Sequence, residues 1–434
     1  MRLFDFIREM SVPTRHREGE RKLAAWEKSA RVAATIVNPG PDVSRLKAEE
    51  VVSVLRAKAQ VAETIIREVT ELEPHPDHVA AFGDSLAQVL VVDRASWAKL
   101  GSKSMAQLLG VDTAEPIDGV PDPTDLDSVV EVTAVLTFLA QKTLGQFIPN
   151  LGGDEDSSAR TESETPLPDE SASGMHMVTS DDARFGTPQL KVAGSESPTE
   201  GIDATGWQSD RSPGVLALVA PNVLATQRAM AVDLGEFALW VSTHEFTHAM
   251  QFAAAPWMKR YLQDRVDALI RNFDSEGSLL EWARAATDSL RGTRSVMDSL
   301  LNDAQHAQVD RITALMSVLE GHADVVMDAV PLKYLPSKRA MRRKFTARKR
   351  DQSRLSTTVG RMSGLDAKTD QYKVGASFVR SAQSLVGTRG FNRVFTGPQY
   401  LPTLAELSDA SMWVRRTNQL MAQGITDELG EGVA

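Results

Sequence analysis

The chain has 434 residues, of which 42% are hydrophobic and 24% charged, an ordinary composition for a globular protein with a sizeable core. A formal net charge of −10 argues against a nucleic-acid binder, whose footprint is basic, and no apolar stretch is long enough to span a membrane. There are no cysteines, so disulfides and thiolate metal sites are excluded, and any metal must be held by His, Asp or Glu.

Met1 to Met10 alternates apolar and charged residues and lacks the apolar core of a secretory signal, so a cytoplasmic address is expected. Residues 20 to 150 read as helices within a helical N-terminal region, 1–150. Ser44 to Leu72 carries Val51, Val54, Leu55, Ala62, Ile65 and Val69 at helical spacing. Residues 151–213 then form an acidic insertion rich in Ser and Pro. Such a segment offers too little apolar surface to offset its ordering entropy, and it reads as flexible. Gly214 to Asn222 is a short apolar run bounded by turn formers, the best strand candidate in the chain. Pro221 and Asn222 at its end would rim a cleft, as edge strands do when they align peptide substrates. A catalytic region is expected over 214–425, followed by a tail at 426–434.

A helix is expected from Asp233, spaced from Glu236 as in a capping box, to just before Pro256. Inside it lies His244-Glu-Phe-Thr-His248, an H-E-x-x-H motif. Residues four apart share one helix face, so both imidazoles can reach one ion, with Glu245 about a water molecule away as general base. At about 100° per residue, Phe237, Val241, His244, His248 and Phe252 fall within roughly 60° of one another. The ligand face is thus expected to be the buried face. A chance match arises on the order of once per hundred such chains, too rarely to favour two ordinary packed histidines.

A third ligand is needed. Gln251 and Ala254 stand where the H-E-x-x-H-x-x-G-x-x-H pattern requires Gly and His. The alternative is an acid on a later helix, and Asp310 to Val330 offers Glu320-Gly-His-Ala-Asp324. Glu320 would bind Zn2+ as in gluzincins, and Asp324, one turn on, could hold the distal nitrogen of a ligand histidine. His322 is a rival ligand, but it falls on the far side of the wheel.

Thr243 to Phe252 with Pro256-Trp257, Leu319 to Asp324, Asp370 to Phe378, Val91 to Trp97 and Leu401-Pro-Thr together resemble the actinobacterial zincin-like metallopeptidase family. The similarity runs from about residue 20 to residue 420, with the insertion as a departure. It implies a zinc hydrolase; some members are associated with biosynthesis of a deazaflavin coenzyme. From related enzymes, Tyr372 in Tyr-x-x-Gly375 is the first choice for stabilising an oxyanion, with Tyr334 next.

The run Lys338 to Arg350 is strongly basic. It reads as a solvated helix face, or as a site for an anionic substrate, a nucleic acid or the acidic insertion. The expected fold is mainly α, zincin-like, with a small sheet beside the active-site helix. The expected function is hydrolysis of a peptide or small amide. The alternative is a zincin-fold scaffold without turnover, although a retired site has no need to keep Glu245. Substrate identity and oligomeric state are left open.

Overall fold

The computed structural model describes residues 18–109, 126–150, 213–271, 303–355 and 365–423. The expectations for the N-terminal decapeptide, the acidic insertion and the tail lie outside the described residues.

Helix α1 covers Glu18–Ile36 and α2 Arg45–Thr70, capped by Ser44 as its sequence requires. A short α3 (Pro76–Phe82) leads to strand β1 (Gln88–Val92), and α4 (Arg94–Leu108) follows at once, capped by Asp93. Helix α5 (Leu126–Lys142) is followed by β2 (Gly145–Pro149). Beyond the insertion come β3 (Gly214–Val219), α6 (Ala220–Met230) and α7 (Leu234–Ala254). Helices α8 (Trp257–Arg271), α9 (Asp303–Ala329), α10 (Lys338–Leu355) and α11 (Leu365–Phe391) complete the frame. Two 3₁₀ turns then lead into α12 (Leu404–Ser408) and α13 (Ala410–Ala422). The fold is mainly α with one small sheet, as expected.

Two corrections concern that sheet. Residues 88–92 and 145–149, read as parts of a helical region, are strands. They pair with β3 in the order β1-β3-β2, β1 parallel and β2 antiparallel to it. β3 is therefore central, which explains its unbroken apolar run: every residue from Gly214 to Val219 is buried. Leu216 and Leu218 enter a core shared with α2 and α7. Val215, Ala217 and Val219 enter a second core with Trp26, Trp97 and Leu136. Flanked on both sides, β3 cannot serve as an edge strand. Asn222 does not rim a cleft either. It lies in the first turn of α6, 3% exposed, where its Nδ2 donates to the carbonyls of Ala140 and Thr143 and its Oδ1 accepts from Arg94 Nε at 2.6 Å.

The basic run forms α10, and several of its cations are tied into the fold. Arg342 pairs with Asp324 at 2.9 Å and Asp328 at 3.0 Å, Lys344 donates to the carbonyl of Ala231 and Lys338 to those of Asp328 and Val330. Among the described residues no helix is long and apolar enough to cross a membrane.

At the C-terminal end, Thr403 and Glu406 form a reciprocal capping box, and Arg416 grips the Glu406 carboxylate with Nε at 2.7 Å and Nη2 at 3.0 Å. Burial alone would raise the Glu406 pKa, but the bonds from Arg416 and Thr403 outweigh it and the net shift is downward. A carboxylate whose folded pKa is depressed adds stability above its unfolded value of about 4.3 and loses it as pH falls through the folded value. Glu406→Gln should therefore cost about 2 kcal/mol at neutral pH in urea unfolding, the scale of hydrogen bonds to a charged group, and the gap to wild type should close in acid. A gap that persists unchanged at low pH would show that the pair does not act through its charge.

Candidate metal centre

Helix α7 carries the motif, and its start is as expected: Asp233 accepts from Glu236 N at 2.8 Å. The reciprocal half of the box is absent, because the Glu236 carboxylate instead takes the N–H and hydroxyl of Ser337. The ligand face is not the buried face. α7 is buried all round, Phe246, Thr247 and Met250 as fully as Phe237, because α2, α9, β2 and β3 enclose it. Within its central turns His244 and His248 are the residues that reach partial exposure. The ligand face is the side on which a buried helix opens.

His244, His248 and Glu320 are brought together. One donor atom from each lies within 4.8 Å of the others. The two Nε2 atoms are 3.3 Å apart, and His244 Nε2 is 3.6 Å from Glu320 Oε2. Two donors at about 2.0–2.1 Å from a tetrahedral zinc stand ~3.3–3.4 Å apart, so the imidazole pair already has the spacing the ion requires. Two imidazoles and a carboxylate are also the donor types that zinc takes when a fourth position is left open.

Glu245 turns away from solvent toward β2. One carboxylate oxygen accepts from Phe147 N at 3.0 Å, and the group is 7% exposed. A Cβ at Gly145 would stand 2.8 Å from Glu245 Cγ, so the glycine makes room for the side chain. Burial raises the Glu245 pKa to about 7, with the nearby Glu320 adding to the rise and His248 and the Phe147 N–H opposing it.

Just beyond Glu320, α9 and α11 touch backbone to backbone. A Cβ at Gly321 would lie 2.3 Å from Gly375 C, and one at Gly375 would lie 2.1 Å from Ser317 O. Only glycine fits at either position. The contact fixes α11 one turn from Tyr372, whose side chain is outside the described residues. Tyr334 packs its ring against the main core under Lys333 Nζ at 4.7 Å.

Asp324 is engaged by Arg342, whose Nη2 also donates to its backbone carbonyl at 3.0 Å. The contact at the distal nitrogen of His248 comes from Gln251, with Oε1 2.9 Å from Nδ1. In the sequence Gln251 stands out only as the residue in the place of a required Gly. Its position one turn after His248, where a ligand helix commonly carries a partner, was the available signal. His322 is fully buried and outside the donor cluster, its ring 5.5 Å from that of Phe391 and 5.3 Å from that of Phe395. Burial holds its pKa down at about 3, with His248 contributing, so its ring is neutral.

Comparison with known proteins gives two matches. The model of a family described as zincin-like metallopeptidase matches residues 25–414. A crystal structure from Chloroflexus aurantiacus, described as a candidate hydrolase with a novel fold, superposes with a TM-score of 0.52 at 20% identity. It covers 92% of this chain and 98% of that one. At that identity the likeness is one of fold. No curated protein matches the chain.

Proposed function

The chain belongs to the zincin-like metallopeptidase family, and we propose that it is a zinc-dependent hydrolase that cleaves an amide bond in a peptide or small amide. The observation that carries this reading is the convergence of His244, His248 and Glu320 beside the buried carboxylate of Glu245. His244, His248 and Glu320 would hold the zinc, which would supply a Lewis acid and lower the pKa of a water toward about 7. Glu245 takes the water's proton on the carboxylate oxygen that Phe147 N–H does not hold, then returns it to the leaving amine. Enclosure by α2, α9 and β2 keeps bulk water from competing for that proton.

Tyr372 is our choice for the hydroxyl that steadies the oxyanion. The Gly321–Gly375 crossing supports it by fixing its helix against that of Glu320. The substrate backbone has a natural support in β2, the outer strand beside β3. Its Phe147 N–H is turned to Glu245, so an extended peptide laid along that side runs past the general base.

The test is zinc removal and return. Chelation should abolish hydrolysis of a mixed peptide library, and one equivalent of zinc should restore it. Cleavage that survives complete chelation would refute the metal mechanism. Stoichiometric zinc with no cleavage of peptides or small amides would favour the scaffold.

A further inference from the structure

Gln251 lies one turn beyond His248, and three contacts define its amide. Oε1 is 2.9 Å from His248 Nδ1, while Nε2 is 2.9 Å from the Leu319 carbonyl and 3.0 Å from His322 Nδ1. A backbone carbonyl can only accept, so the amide end facing Leu319 must be the NH₂. That leaves Oε1, an acceptor, toward His248, whose Nδ1 must then carry the hydrogen. The His248 lone pair is thereby placed on Nε2, the atom that stands 3.3 Å from His244 Nε2 in the donor cluster.

The second amide hydrogen of Gln251 goes to His322 Nδ1, which places the His322 hydrogen on Nε2. That Nε2 is buried and has no partner among the described residues, and the ring sits among Phe391 and Phe395. An apolar side chain would fill such a pocket without leaving an N–H unsatisfied. The imidazole is therefore retained for its other nitrogen, the acceptor that completes the amide's hydrogen bonds. Leu319 and His322 flank Glu320 on α9, so the same contacts tie the histidine helix to the carboxylate helix.

We propose that Gln251, backed by the Leu319 carbonyl and His322, is a positioning residue that locks His248 in the Nδ1–H tautomer and aims its Nε2 at the metal. The proposal rests on the zinc reading above and adds how one ligand is prepared before the ion arrives. Being uncharged, the amide orients the imidazole without the added basicity that a carboxylate partner confers.

The experiment is ¹⁵N-histidine NMR of the full-length, metal-free protein at neutral pH, with zinc titrations of the same samples. Wild type should show His248 with a protonated Nδ1 and a bare Nε2. Gln251→Met, similar in length but without the amide, should give a tautomer mixture and bind zinc about 10–100-fold more weakly. Gln251→Glu, fully buried and therefore protonated on the oxygen that faces the Leu319 carbonyl, keeps one donor there and one acceptor for His248, and should retain the Nδ1–H signature, which a merely space-filling role would not require. His248 protonated on Nε2 or mixed in wild type would overturn the proposal, as would unchanged zinc affinity in Gln251→Met. If Gln251→Met does not fold, the wild-type and Gln251→Glu spectra decide. Wild type that binds no zinc would defeat the proposed function, while the metal-free spectra would still decide the tautomer lock.

Discussion

Glu245→Gln is expected to leave zinc content and thermal stability near wild type and to lower hydrolysis at least about 100-fold, the usual scale for losing general-base help. The substitution keeps the shape of the side chain, so its fit against Gly145 is preserved, and an amide oxygen can still accept from Phe147 N. What disappears is the capacity to take a proton. Because the carboxylate is buried, replacing it with a neutral isostere relieves desolvation and should not unfold the protein. Wild type and variant cleaving a common substrate at equal rates would remove Glu245 from the mechanism. Loss of zinc in the variant would instead make it a ligand.

The second large effect is on the metal itself. His244→Ala and His248→Ala should each weaken zinc binding by ~100- to 1000-fold. Structural zinc sites hold the ion with about 10–16 kcal/mol shared over four ligands, so each contributes ~2.5–4 kcal/mol. Glu320→Gln should fall toward the lower end, since an amide oxygen remains but the charge is lost. Competition titration against a chelator measures all three. An unchanged affinity in both histidine variants would displace the site from α7. An unchanged affinity in Glu320→Gln alone would send the third position to another acid. His322 is no substitute, buried as it is and already bound to Gln251.

The motif on α7, the cap at Asp233, the helical spacing of Ser44 to Leu72 and the Glu320 segment were all readable from residue order. Each depends on spacings of three or four along one helix, where neighbours in space are neighbours in sequence. The strand at 214–219 was readable for a similar reason, since six apolar residues between turn formers suffice to mark it. Strands β1 and β2 were not, because five residues each, set among helices, become strands by pairing with β3 from more than sixty residues away. The wheel placed the two histidines on the buried face because it assumes that the polar face meets solvent, whereas α7 is packed on its other sides and in its central turns opens only where His244 and His248 stand.

What the tertiary structure alone decided is the environment of the chemistry. Glu245 is seated by a backbone N–H 98 residues earlier in the chain, and its raised pKa comes from burial under that strand. His248 is oriented through Gln251 by groups 68 and 71 residues further on. Glu320 comes to the histidines because α9 packs on α7, and two glycines let the far side of α9 meet α11 at backbone distance. Residue types and helical periods specify which side chains can bind and react. Desolvation, tautomer and donor spacing are set by long-range packing, and no local pattern in the chain encodes them.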